Sequence, residues 1–223
     1  MKTLSPQQRL VAYIVLVFII DYLSVVNLPF LWSETFFHEI SHGLAALLTG
    51  GYIHNITLNF DGSGVCTTSG GSRFLVSFSG YAGSALWGGV IYSVADALTP
   101  AKARLIAVFL IAMLTITLVF WARNFSTIVI LIVLLMMYTL PLFKSLWVSV
   151  KFLIQLIGIF VMLDAIRSPL YLLDDRNIGD GENLAKLTWM PEIFWVLIWF
   201  AMSVGCLYLL WRFLDDKSIK ESS

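Results

Sequence analysis

Two of the chain's three histidines lie four residues apart with a glutamate between them, in "ETFFHEISHGLAALLTGG" (residues 34–51). On a helix, positions i and i+4 share a face one turn apart, so His38 and His42 can offer two imidazole nitrogens to one divalent ion. This is the HExxH arrangement, in which Zn²⁺ takes both nitrogens at about 2.0–2.1 Å. Glu39 then stands beside the ion without having to bind it, placed to take a proton from water as that water attacks a carbonyl. The ion would lower the pKa of its water from about 15.7 towards about 7 and polarise the carbonyl. With three His and five Glu in the chain, random order would yield the motif in roughly one chain in two thousand. Packing glue between helices suits Ser41 or Thr49 better than an ionisable trio, which is costly at membrane depth and marks functional sites.

A catalytic zinc keeps three protein ligands and one open position, so a third ligand is required. His54 is the remaining histidine, only twelve residues after His42, and reads more simply as a strand-surface residue. No further His follows in the metzincin spacing, since His42 is succeeded by "GLAALLTGG". Carboxylates remain. Asp164, in "GIFVMLDAIRSP", is the favoured ligand, with a surface pairing to Arg167 at i+3 as its competing role. Asp180, in "NIGDGENLAKLT", is the runner-up, because Gly179 and Gly181 would let the backbone bend around a metal. Glu182 ranks below it, and Asp21 shares the helix that immediately precedes the histidines.

The elements that must position these groups are set by composition. The 223 residues are 59% hydrophobic and only 13% charged, with a mean hydropathy of +0.86; a soluble domain carries about 25% charge, so the chain reads as a membrane protein. The formal net charge is zero, and no basic patch suggests nucleic acid. Cys66 and Cys206 form neither a disulfide framework nor a metal pair. Residues 10–31 read as a retained first membrane helix, and further apolar segments fall at about 32–49, 72–95, 103–122, 125–143, 146–167 and 192–213. Most are about twenty residues, enough to cross a hydrocarbon core of about 30 Å. The expected fold is an all-α polytopic membrane protein of about six to seven transmembrane or membrane-embedded helices, forming one domain over residues 1–223 in an unidentified membrane.

Two stretches interrupt the apolar pattern. Residues 51–71, "GYIHNITLNFDGSGVCTTSGG", combine β-branched residues with an Asp61-Gly62 turn, the signature of a β-hairpin. Residues 168–192 form a polar loop too charged to span. The strand edge at 52–60, with Leu58, Asn59 and Phe60, is the expected substrate-binding edge: an unwound substrate would add to it main chain to main chain. In "SGYAGSALWGG", Gly80, Ser84 and Gly88 recur every four residues, a small-residue face that allows close helix approach and could hold the histidine helix in place.

HEISHG in an apolar helix, a short β-insertion, a Gly-rich "SGYxG" helix and a late Asp in "MLDA" together resemble the site-2 protease superfamily of intramembrane zinc metalloproteases. The closer resemblance is to its compact, B-like peptidase branch, whose "LAxLT…P…W" region is similar to "LAKLTWMPEIFW" here. The likeness covers most of residues 25–200. It implies His38 and His42 as ligands of one catalytic Zn²⁺, Glu39 as general base, and an Asp from a later helix completing the site. Asp164 stands where the superfamily tends to have "LDG", although alanine replaces that glycine here. The implied activity is hydrolysis of peptide bonds in or near transmembrane segments, with a membrane-protein substrate and the bilayer as partners. Two alternatives use the same residues: a metal-binding transporter, in which loss of Glu39 abolishes metal binding, and a non-catalytic membrane scaffold.

Overall fold

The computed structural model describes residues 4–143, 149–173 and 178–222. Among them are eight α-helices and one two-stranded antiparallel sheet. Helix α1 (Pro6–Tyr22) opens on a capping box, in which Ser5 and Gln8 satisfy each other's backbone N–H, and on a proline at its first turn. The chain then breaks at Leu23, and α2 (Ser24–Leu48) leaves at 115° to α1. The sequence reading put this boundary at residues 31–32. The polar residues around the break, Asp21, Ser24 and Asn27, stand singly in an apolar run and do not mark it, and Pro29 lies inside α2 rather than ending a helix.

Strands β1 (Tyr52–Leu58) and β2 (Gly64–Ser69) form the expected hairpin. Asp61 closes its turn by accepting hydrogen bonds from the Ser63 backbone N–H and hydroxyl, which hold its carboxyl below the ordinary range. Helix α3 (Arg73–Ala97) follows, capped by Ser72, then α4 (Pro100–Phe120), capped by Thr99. The order closes with α5 (Phe125–Thr139), α6 (Val150–Arg167), α7 (Asp180–Thr188) and α8 (Glu192–Ser222). Residues 146–148, the expected start of the sixth apolar segment, lie outside the described residues, as do 174–177 of the polar loop. The rest of that loop holds α7.

By length and composition α3, α4, α5 and α8 can each cross a membrane, and the bent α1–α2 pair adds a fifth span if it counts as one. Helix α6 is different. It is buried along nearly its whole length, on all faces, as a helix enclosed by others must be. Its closest neighbour is α3: a β-carbon on Gly88 would meet the Met162 backbone nitrogen at 2.6 Å, and one on Gly158 would meet the Tyr92 nitrogen at 2.9 Å. Missing side chains on both helices let the two backbones touch.

One end of the bundle is tied together by a buried acid. Asp96, 2% exposed, receives Arg9 of α1, Gln155 of α6 and Lys217 of α8, and Lys151 caps the adjacent carbonyls of Asp96 and Leu98. Sixteen residues earlier on α3, about 24 Å along the axis, the same helix reaches the histidines of α2. Helix α3 is the ruler between the two polar layers.

Candidate metal centre

His38 and His42 project from one face of α2, as their spacing requires. Their Nε2 atoms lie 3.0 Å apart. Asp180 Oδ2 is 3.2 Å from each of them, and the donor atoms of all three residues fall within 4.8 Å of one another. A tetrahedral ion with bonds of about 2.0–2.1 Å would separate its ligand atoms by about 3.3 Å. The three donors fit one zinc. His42 Nδ1 donates to the Val76 carbonyl at 2.6 Å, which leaves its Nε2 lone pair turned to Asp180.

Glycines make this approach possible. A β-carbon on Gly80 would lie 2.6 Å from His38 Nε2 and from His42 Cε1, and one on Gly83 would strike the Ser41 side chain. The small-residue stripe therefore divides its work: Gly80 faces the histidines, Ser84 donates to Glu34 at 3.4 Å, and Gly88 faces α6. Glu39, 4% exposed, points to the hairpin and accepts a hydrogen bond from the Cys66 backbone N–H. Gly64 leaves the room: a β-carbon there would meet Glu39 Oε1 at 2.7 Å. Burial, and then the charge of Glu39, push the Cys66 thiol up to about 12.

The carboxylate beside the imidazoles is Asp180 and not the favoured Asp164. Asp164 Oδ1 instead pairs with Arg167 at 3.2 Å, one turn on in α6, and Arg167 also holds Asp21. An adjacent guanidinium claims the acid before the histidines can. Asp180 reaches them from the first turn of α7, where an acid is favoured by the helix dipole. Gly179, at φ +110°, turns the chain into that helix, and fully buried Leu184 docks it against Ala82, Trp195 and Trp199. Burial alone would raise the Asp180 carboxyl, but His42 and His38 outweigh it and hold it below the usual range. Glu182 pairs with Lys186 at 3.1 Å, and His54, beside a register shift in β1, bonds Ser69 at 2.7 Å.

The expected substrate edge, with Leu58, Asn59 and Phe60, is engaged by other parts of the chain. Leu58, 1% exposed, gives its N–H to Thr127 Oγ1 at 2.7 Å, and the Ile56 N–H goes to the Trp121 carbonyl at 3.0 Å. Asn59 bonds Ser63 in the turn, and the Phe60 carbonyl accepts from the Trp32 indole. The end of α4 and the first turn of α5 thus occupy the outer edge of β1. The opposite edge, along β2 from Gly64 to Ser69, lines a cavity of about 690 Å³ with His38, Glu39, His42 and Asp180. The sequence signals overlooked were the pairing partner of β1, which lies some seventy residues away, and Tyr81, which lines the same cavity.

An apolar helical bundle brings two imidazoles and a carboxylate together beside a buried glutamate, a group of side chains that could hold a metal ion. The chain belongs to the Peptidase M50B-like family, whose model matches residues 10–210, and is thereby placed among peptidases. No curated protein and no solved structure matched the chain.

Proposed function

We infer that this protein is a multi-pass intramembrane zinc endopeptidase. The observation that carries the reading is the convergence of His38 Nε2, His42 Nε2 and Asp180 Oδ2 within 4.8 Å, next to a glutamate that is not needed as a ligand. His38, His42 and Asp180 would hold the zinc, which when bound supplies Lewis acidity and an acidified water. Asp180 replaces Asp164 in that role because it is the carboxylate with an oxygen 3.2 Å from both rings. Glu39, buried against the Cys66 N–H, receives the proton of the attacking water and returns it to the leaving amine nitrogen as the C–N bond breaks. The geometry also supports a route for substrate. A transmembrane helix hides its carbonyls in its own hydrogen bonds, and the β2 edge offers the unwound segment replacement partners beside Glu39.

The test is a comparison of purified wild type with Glu39→Gln. In the endopeptidase the variant retains one zinc per chain and loses about 10²–10⁴-fold in turnover of a transmembrane peptide. A transporter using Glu39 as a ligand or proton carrier would lose metal binding or transport in the same variant. Full turnover in Glu39→Gln would overturn the endopeptidase reading.

A further inference from the structure

Tyr81 follows Gly80 on α3 and packs between His38 of α2 and Trp199 of α8. Its ring meets the edge of His38 at a centroid distance of 4.5 Å and packs on Trp199 at 4.8 Å. Trp199 is itself fixed: it is fully buried and gives its indole N–H to the Phe78 carbonyl at 3.0 Å. The ring of Tyr81 therefore has two walls, one of them a metal-site imidazole. Tyr81 lines the same cavity as Glu39 and Asp180, and its hydroxyl makes no hydrogen bond to another described residue. Tyr13 uses its hydroxyl otherwise, donating to Gln155 at 2.9 Å, and the Tyr92 hydroxyl, buried without a partner, is not among the groups that line this cavity. A rigidly held O–H donor without an acceptor among the described residues, in a cavity lined by two imidazoles, a carboxylate and a candidate base, is free to bond a substrate.

We propose that the Tyr81 hydroxyl is a catalytic hydrogen-bond donor to the carbonyl oxygen of the scissile peptide. The assignment rests on the endopeptidase reading above and deepens it. Glu39 approaches from the β2 side, where it contacts Cys66 and Gly64, and Tyr81 approaches from the α8 side, where it contacts Trp199. A peptide lying along β2 presents its carbonyl between them. As water oxygen adds to the carbonyl carbon, the C=O π pair moves onto oxygen, and the neutral phenol donates to that developing oxyanion. The water proton passes to Glu39 and then to the amine nitrogen as the C–N bond breaks, so Tyr81 ends the cycle with its own proton. A donor aimed at charge that exists only in the transition state raises kcat more than it lowers KM.

The experiment uses the full chain loaded with zinc in detergent micelles, and the quenched-fluorescent single-span peptide that wild type cleaves fastest from a library. Tyr81→Phe keeps both ring contacts and should fold; its zinc stoichiometry, Tm and KM should match wild type. Its kcat should fall about 10²-fold, and calorimetric affinity for a phosphinic-peptide mimic of the tetrahedral species should fall by a similar factor. Trp199→Phe, which disturbs the packing wall and leaves the phenol, should cost much less. Unchanged kcat and unchanged phosphinic affinity in Tyr81→Phe would overturn the proposal, as would loss of zinc, which would place the phenol on Asp180 instead. If wild type cleaves no library member, or Glu39→Gln cleaves normally, the endopeptidase reading falls and this assignment with it. If wild type cleaves and Tyr81→Phe equals it, only this assignment falls.

Discussion

Gly80 lies against His38 so closely that a β-carbon on the glycine would come within 2.6 Å of the imidazole Nε2. Neither ring can retreat without losing Asp180, because both nitrogens are 3.2 Å from the same carboxylate oxygen. Gly80→Ala should therefore weaken zinc binding by about 10–100-fold, the effect typical of disturbing the groups that orient metal ligands. Competition with a chelator of known affinity measures it. Wild-type affinity in this variant would mean that α2 and α3 can part without disturbing the site.

The two candidate carboxylates make opposite forecasts. Asp180→Ala should lose bound zinc on dialysis, whereas Asp164→Ala should retain it at one ion per chain. The second substitution should instead lower Tm, because it leaves Arg167 with Asp21 as its remaining partner among the described residues. Elemental analysis of the two proteins side by side decides the matter, and zinc loss in Asp164→Ala with retention in Asp180→Ala would reverse the ligand assignment.

Along β2 the backbone groups alternate between the ladder and the cavity. The Cys66 N–H is turned to Glu39, so that of Thr68, two residues on, faces the cavity too. Thr68→Pro removes this N–H and leaves the pairing with β1 in place. It should reduce kcat/KM for a transmembrane peptide at least tenfold at unchanged zinc content, while Thr68→Ala should be close to wild type. Equal activity of the two variants would count against strand addition at this edge.

Cys66 reports on its neighbour. With its thiol pushed up to about 12 by burial and by Glu39, the reactive thiolate is scarce at neutral pH. In a Cys206→Ser background, iodoacetamide alkylation should rise about tenfold per pH unit from pH 8 through pH 11, with no plateau near the ordinary thiol value of about 8.5. Glu39→Gln removes the lesser of the two causes and should shift the curve to lower pH. A plateau by pH 9 in the parent protein would show that the thiol is not enclosed as described.

Much of the architecture is local and could be read directly. The apolar runs announce the helices, the Asp61-Gly62 turn announces the hairpin, and four-residue spacing is enough to bring His38 and His42 to one face. The break at Leu23 was hidden because its polar neighbours, Asp21, Ser24 and Asn27, stand singly in an otherwise apolar run. The outer edge of β1 was hidden because its partners, Trp121 at the end of α4 and Thr127 in the first turn of α5, lie far along the chain.

What the sequence alone determined is the pair of imidazoles, their intervening acid and the membrane setting, since each depends on contacts within a turn or on bulk composition. Which acid joins the imidazoles was decided by tertiary structure. Asp164 and Asp180 are both carboxylates late in the chain, and periodicity does not separate them. Their fates differ because Arg167 lies within one turn of the first, while burial of Leu184 beneath Trp195 and Trp199 carries the second across 142 residues of sequence to His38. Docking of that kind is a sum of distant apolar contacts, and it exists only once the bundle has closed.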